Sequence, residues 1–259
     1  MILALCGTSD ARELASLIQS NGIRVLASVI TNQAADNLRK AEIPVRTGRL
    51  DRCGMAELVR GEKIRAIVDA SHPFAEEAHR NAMMAAEATG IPYIRYERVS
   101  RVYDCDPKLT IVSSYEEAAA EAKRRKGSVM LTTGSKTLHL FTRELLGDPG
   151  IRLTVRTLPR RDCIEKAEEL GIEQRNVIAM QGPFSQELNE ALYRQYGTTV
   201  MITKESGVPG SVDEKVDAAL QLGIHVIMIS RPNIDFGTVF TNFEDVIREL
   251  NAAIHQKNG

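Results

Sequence analysis

Three short clusters in this chain have the make-up of an anion site at the start of a helix: Gly7-Thr8-Ser9-Asp10, Thr133-Gly134-Ser135-Lys136, and Lys204-Glu205-Ser206-Gly207 with Gly210-Ser211. Each follows a short apolar run, where a strand would hand over to a helix. The first turn of a helix carries unpaired N–H groups and the positive end of the helix dipole, and Gly and Ser let a phosphate or carboxylate approach closely. Two of the clusters add a lysine. A chain that repeats this device in both halves is expected to hold a polyanionic ligand, or two, between them.

Other residues extend these clusters. Gly7, Thr8, Ser9 and Arg12 stand where a Rossmann domain holds a pyrophosphate, although the G-x-G-x-x-G spacing is missing and a plain βα loop capped by Ser9 or Asp10 is the alternative. The second strand runs out at Ile30-Thr31-Asn32 with no acid for a ribose hydroxyl, which favours a phosphorylated ribose met by Thr31, Asn32, Arg39 or Lys40. In Asp69-Ala70-Ser71-His72-Pro73-Phe74-Ala75, Pro73 suits the first turn of a helix. His72 then lies beside the ligand, and the helix dipole favours its neutral form. His72, Glu76 and His79 could share a helical face, but surface histidines on helices are commonplace and no metal is expected. His139 and His225 read as structural.

Arg95, Glu97, Arg98 and Arg101 form a mixed-charge run at the crossing between the halves, either a solvated linker or a set of ligand contacts. Thr133-Gly134-Ser135-Lys136 resembles a P-loop fragment, but its order and the missing upstream glycine reject a Walker A site. Gln181-Gly182-Pro183-Phe184 and the stretch from Thr203 to Lys215 complete the same rim. No Ser-His-acid arrangement and no carboxylate pair suited to glycoside chemistry stands out. A cofactor is therefore expected to carry the reaction, and hydride transfer fits.

The elements that must position these residues alternate. Strands are expected at Ile2–Leu5, Val25–Ile30, Ala66–Val68 and Tyr93–Ile94, with helices near Asp10–Gln19, Met55–Val59 and Glu76–Ala88. A second series has strands near Val129–Thr132, Leu153–Val155, Asn176–Met180, Thr199–Thr203 and His225–Ile229, and a final helix over Phe243–Ile254. This rhythm predicts an α/β fold of two Rossmann-like domains whose parallel sheets flank a central cleft. The aperiodic, charged segment Arg95–Pro107 is the expected linker, giving domains of 1–97 and 98–259. All three clusters then fall at the carboxyl ends of strands, where such sheets bind ligands.

Composition narrows the partners. The 259 residues are 43% hydrophobic, enough for a sizeable core, and the formal net charge of −1 gives no general attraction to nucleic acid or membrane. Trp is absent and aromatics make up 5%, so stacking platforms for single strands are not expected. Cys6, Cys53, Cys105 and Cys163 form no C-x-x-C pair, and the N-terminal Met1-Ile2-Leu3-Ala4-Leu5-Cys6 lacks a signal-peptide pattern. A reduced, cytoplasmic protein without a membrane partner is expected.

Taken in order, Gly7-Thr8-Ser9-Asp10-Ala11-Arg12, Asp69-Ala70-Ser71-His72-Pro73-Phe74-Ala75, Arg95-Tyr96-Glu97-Arg98, Thr133-Gly134-Ser135-Lys136, Gln181-Gly182-Pro183-Phe184 and Lys204-Glu205-Ser206-Gly207 resemble the precorrin-6A reductases of cobalamin biosynthesis over nearly the whole chain. Val99 departs from the proline usual in that family after the linker arginine, and the aromatic that often follows is missing. The resemblance implies two Rossmann-like domains and a reduced nicotinamide, usually NADPH, with NADH as the alternative. It also implies reduction of one macrocycle double bond of precorrin-6A, or its cobalt counterpart, to precorrin-6B. The tetrapyrrole's carboxylates would then meet Lys136, Lys204, Lys215, Arg95 and Arg98, with His72, Gln181, Gly182, Ser206 and Gly207 beside them. The cofactor would lie against Gly7, Thr8, Ser9, Arg12, Thr31, Asn32, Ser71, Thr133, Gly134 and Ser135. The proton could come from His72, Asp213, Glu205 or water. The competing expectations are a cofactor-free tetrapyrrole enzyme resembling uroporphyrinogen-III synthase and a non-catalytic two-domain binding protein.

Overall fold

A computed structural model describes residues 1–101, 106–205, 207 and 212–255, the side chains of residues 212, 213 and 255 excepted. The chain begins β1 (Ile2–Leu5), α1 (Ser9–Ser20), β2 (Val25–Val29), α2 (Asn32–Lys40), β3 (Val45–Thr47), α3 (Arg52–Gly61), β4 (Ile67–Asp69), α4 (Glu76–Thr89) and β5 (Tyr93–Tyr96). It continues with β6 (Leu109–Val112), α5 (Tyr115–Arg125), β7 (Gly127–Leu131), α6 (Leu138–Leu145), β8 (Ile151–Thr157), α7 (Arg161–Glu169), β9 (Val177–Ala179), α8 (Gln186–Gln195), β10 (Val200–Lys204), α9 (Val212–Gln221) and β11 (His225–Ile229). It closes with β12 (Val239–Phe240) and α10 (Phe243–His255).

Two six-stranded sheets result, in the orders β12-β5-β4-β1-β2-β3 and β6-β11-β10-β7-β8-β9, with every described pairing parallel. Each is a doubly wound sheet, as expected, and in each the strand order reverses once: between β1 and β4, and between β7 and β10. The sixth places are filled crosswise. β6, which follows β5 in sequence, joins the second sheet, while β12, which follows β11, joins the first.

The first sheet is buried on both faces because its strands are apolar at successive positions. Ile2 and Ala4 pack with Leu14 and Ile18 of α1 on one face, and Leu3 and Leu5 pack with Met55 and Val59 of α3 on the other. Val246 and Leu250 of α10 belong to the first of these cores. The chain accordingly divides into one unit of Met1–Val99 with Pro232–Gly259 and a second of Ser100–Arg231. The expectation of an unbroken second domain from 98 to 259 differs from this, because the apolar stripe of α10 completes the first core.

Three further differences concern single segments. Arg95 and Tyr96 end β5, paired with Val239 and Phe240, so the segment expected as linker begins inside a sheet. β3, β6, β12, α2 and α5 had no place in the expected series, being short or polar. Pro73 lies in a turn before α4, which starts at Glu76. No helix among the described residues is long and apolar enough to cross a membrane.

Candidate functional site

The site-bearing loops lie at the two reversal points. In the first unit the turn after β1 leads into α1, whose N-cap is Thr8: its hydroxyl accepts the Ala11 N–H at 3.3 Å, so neither Ser9 nor Asp10 is the cap. A Cβ at Gly7 would meet nothing within 4 Å, which leaves the backbone of this turn open to a ligand. Asp10 is buried in the first helical turn, where a carboxylate would repel a phosphate. It is neutralised by Arg98, whose Nε donates to Oδ2 at 2.6 Å and whose Nη2 donates to Oδ1. Burial opposes ionisation of Asp10, yet the hydrogen bonds from Arg98 and Thr8 hold its pKa below the usual value. Arg98 is thus an ion-pair partner inside this unit, a correction to its expected place against a substrate carboxylate.

The turn after β4 is held from beneath by a network the sequence did not disclose. The fully buried Asp69 carboxylate receives Ser71 Oγ at 2.5 Å, the Ser71 N–H at 3.0 Å, Tyr93 Oη at 2.8 Å and Arg95 Nη1 at 3.1 Å, and lies 2.7 Å from His79 Nδ1. The other nitrogen of His79 lies 3.2 Å from the Pro73 carbonyl, so both ring nitrogens face acceptors. Arg95 also donates to the Asp69 and Ser71 carbonyls, and its guanidinium stacks 5.0 Å from the Phe236 ring centroid. Burial raises the Asp69 pKa, but the His79 bond and the Arg95 charge more than offset it, leaving it below the ordinary carboxylate value. Arg95, with 0% exposure, cannot reach a substrate, and the Ser71 hydroxyl is engaged inward. Both expected ligand contacts are corrected to supports of the loop that carries His72. His72 Nδ1 accepts the Phe74 N–H at 3.2 Å, so that nitrogen carries no proton in this geometry.

The remaining expectations in the first unit divide. Thr31 caps α2 through the Ala34 N–H at 3.2 Å, and Asn32 opens that helix, both exposed at the carboxyl end of β2. Arg39 and Lys40 sit at the opposite end of α2, with Arg39 paired to Asp36, so the distance along the helix corrects their expected contact with a ribose phosphate. Arg12 lines a groove between α1 and α2 with Asn37 and Lys40.

In the second unit, Thr133 Oγ1 is buried without a hydrogen-bond partner, and Gly134 adopts φ +80° with nothing within 4 Å of an added Cβ. An unmet hydroxyl beside open backbone suits a hydrogen-bonding ligand. Replacing Gly134 by Ala is expected to cost about 1 kcal/mol of backbone strain, read as a lower urea midpoint, whereas Gly7→Ala is expected to leave stability within about 0.5 kcal/mol. Ser135 donates to Cys163 Sγ at 3.2 Å, and Lys136 is exposed.

Around this turn the cations gather. Lys204 ends β10 with its ammonium 5.1 Å from the Tyr115 ring centroid, and burial, then the Lys136 charge, lowers its pKa to about 8. Lys215 on α9 is lowered to about 7 by burial and by the charges of Arg156 and Lys204. Arg156, near the end of β8 and almost fully buried, donates to Asn189 Oδ1 at 2.6 Å and lies 4.2 Å from the Phe184 ring centroid. A Cβ at Gly182 would come within 3.0 Å of that ring, so glycine there lets Phe184 fold back. Gln181 before it is exposed. Neither Arg156, Lys136 nor Lys215 has a carboxylate partner among the described residues.

Glu205, an expected proton donor, is tied to Arg231, with Nε at 3.7 Å and the Arg231 N–H at 3.2 Å. Gly207 is buried at φ +74°. Ser206 lies outside the described residues, as do Gly210, Ser211, Cys105 and the Asp213 side chain. His225 is buried and bonded to Thr110 at 2.8 Å. Sequence reasoning passed over Tyr93 and Arg156, weighed His79 only as a metal ligand it did not expect, and named Asp69 only as the start of the turn after β4. Only Asp69 carried a signal, as an acid closing an apolar strand.

Residues 1–251 match the family model described as precorrin-6x reductase CbiJ/CobK. A cobalt-precorrin-6A reductase of Priestia megaterium is 54% identical over 250 residues, covering 96% of this chain and 98% of that protein. One of Methanothermobacter thermautotrophicus is 37% identical over 255 residues, covering 95% and 82%. A precorrin-6A reductase of Rhodococcus erythropolis is 31% identical over 236 residues, covering 89% of each. A solved structure described as CobK precorrin-6A reductase superposes with a TM-score of 0.80 over 97% of this chain and 96% of its own, at 24% identity, a likeness of fold.

Proposed function

The chain belongs to the precorrin-6x reductase family, and from that premise we propose that it reduces one macrocycle double bond of precorrin-6A or its cobalt form, in cobalamin biosynthesis, using NADPH. The observation that carries this reading is the family match over residues 1–251, supported by 54% identity to a cobalt-precorrin-6A reductase across 96% of the chain.

A bound nicotinamide supplies the hydride. The chain supplies charge and position. In the first unit, the open Gly7-Thr8-Ser9 turn at the start of α1 suits a cofactor phosphate, because the Asp10–Arg98 pair removes the nearby negative charge and leaves the helix dipole to act. In the second unit, Lys136, Lys215 and Arg156, which have no carboxylate partner among the described residues, gather with Lys204 at the carboxyl ends of β7, β8 and β10, suited to a ligand rimmed with carboxylates. Thr133 and Gly134 offer a hydroxyl and an open backbone beside them. Glu205 is engaged by Arg231, and His72 is neutral at Nδ1 and so a weak acid. Of the candidate proton sources for the neighbouring carbon, Asp213 and water are then the ones with no competing engagement shown, the Asp213 side chain lying outside the described residues.

The direct test is oxidation of NADPH and of NADH in the presence of metal-free and cobalt-loaded precorrin-6A. No oxidation in any combination overturns the reading, and a preference for NADH overturns the cofactor assignment. The lysines add a pH signature. Lys204 and Lys215 have lowered pKa values, so their charge is present below pH 7 and lost as pH rises through 7 to 8. Substrate kcat/KM is expected to fall at least about tenfold between pH 7 and pH 9, with cofactor affinity changing much less. Equal losses for both would refute this division between the units.

A further inference from the structure

The edge of the first sheet holds a cation that the sequence reading did not single out. Arg46 lies on β3 in register with Ser28 of β2, and its guanidinium folds over the carboxyl ends of both strands. Nη1 donates to Ser28 Oγ and to the Gly48 carbonyl, each at 2.9 Å, and Nη2 donates to the Thr47 carbonyl at 2.8 Å. Gly48 makes the arrangement fit. Its φ is +105°, and a Cβ there would come within 3.3 Å of Arg46 Nη2. The turn is held to the sheet by the Gly48 N–H, which donates to the Val29 carbonyl at 3.0 Å.

The fork is fixed but its charge is unspent. No carboxylate pairs with Arg46 among the described residues, and of the five N–H donors of a guanidinium only those three bonds are taken up. A group held by neutral acceptors alone, at a strand end, is oriented to receive an anion in bidentate fashion. The place identifies the anion. In a doubly wound sheet of this order, the ribose of a bound dinucleotide falls at the end of the second strand, where an acid takes a 2′-hydroxyl and an arginine accommodates a 2′-phosphate. Here β2 runs out into Ile30, Thr31 and Asn32, with no acid.

We propose that Arg46, seated by Ser28, Thr47 and Gly48, is the 2′-phosphate contact that selects a phosphorylated dinucleotide over its unphosphorylated counterpart. This rests on the reading that the first unit takes the adenosine half of the cofactor.

The test compares equilibrium binding of adenosine 2′,5′-bisphosphate and adenosine 5′-monophosphate by calorimetry, for the full chain and for Arg46→Leu and Arg46→Lys. The native protein is expected to prefer the bisphosphate by about 100-fold, the scale of two charge-assisted hydrogen bonds. Arg46→Leu is expected to bring that ratio near unity while leaving monophosphate affinity within about threefold. Arg46→Lys, which keeps the charge but loses the fork, is expected to fall between. Equal weakening of both probes in Arg46→Leu, with Arg46→Lys no better, would overturn the proposal in favour of a purely structural arginine. An unchanged ratio would overturn it as well. If the native chain binds neither probe, the placement of the cofactor in the first unit fails, and with it the ground for this assignment. The oxidation assay separates that outcome, because activity with NADPH is then retained.

Discussion

Asp69→Ala is expected to cost about 3–5 kcal/mol of stability, the scale for stripping a partner from buried charges. The reason is arithmetic of charge and donors rather than volume. The carboxylate is the shared acceptor for Arg95, Tyr93 and Ser71 and the neighbour of His79; Asp69, Arg95 and His79 are buried, and Tyr93 and Ser71 partly so. Removing it leaves a guanidinium of 0% exposure facing two carbonyls, the Phe236 ring and the Glu97 carboxylate at 3.5 Å. With a urea m-value of about 1–3 kcal/mol/M, the midpoint should drop by roughly 1–5 M. Tyr93→Phe, which deletes one bond and keeps the charges, should cost only about 1 kcal/mol. Similar losses in the two variants would refute the charge argument.

The same residue sets an acid limit. Its folded pKa is depressed below the unfolded value, so the stabilisation is fully present above about pH 4 and is lost as pH falls toward the folded value. Asp69→Asn should lose the corresponding slope in stability below pH 4. Function should fall with it, since the Asp69 network holds the turn carrying His72. The expected signature is a kcat loss larger than the stability loss explains, measured at a temperature where the variant is still folded.

What the sequence disclosed follows from how far each interaction reaches along the chain. The βα rhythm and the placing of Gly7-Thr8-Ser9 and Thr133-Gly134-Ser135 in turns at strand ends were legible because they depend on local periodicity and on Gly, Ser and Thr after apolar runs. Short strands were not. β3 has three residues between Pro44 and Gly48, and β12 has two, so neither shows a period. The crosswise sixth strands were hidden for a related reason, since β6 and β12 are assigned to a sheet by partners more than a hundred residues away. Side chains proved hardest where acids and bases meet across the fold. Arg98 reads as a linker cation until Asp10, 88 residues earlier, is found against it, and Arg95 reads as a ligand contact until Asp69 is found beneath it. Lys136, Lys204 and Lys215 were easier to place, because the turn after β7, the end of β10 and the first turn of α9 all lie at the carboxyl end of one sheet.

Removing Arg98 offers the sharpest separation of fold from binding. In Arg98→Met the Asp10 side chain, only 4% exposed, keeps a carboxylate with no cation beside it, and a loss of about 3–5 kcal/mol is expected. The depressed pKa of Asp10 should rise, since burial then acts without the Arg98 bonds, so the loss is full above that raised value and shrinks as acid protonates the group. The same bare charge lies in the first turn of α1, where a cofactor phosphate is proposed to sit. At an effective dielectric of about 20 and a separation of about 6 Å, each unit of phosphate charge would be repelled by roughly 3 kcal/mol, or about 100-fold in affinity. The double variant Asp10→Asn/Arg98→Met removes both charges and should regain most of the stability and most of the binding. If it regains stability but not binding, Arg98 contacts the cofactor directly. If it regains neither, the pair matters for its shape and not for its charge balance. Urea midpoints and calorimetric titration with NADPH on the three proteins distinguish these outcomes, and only joint recovery agrees with a helix start kept electrically ready for a phosphate.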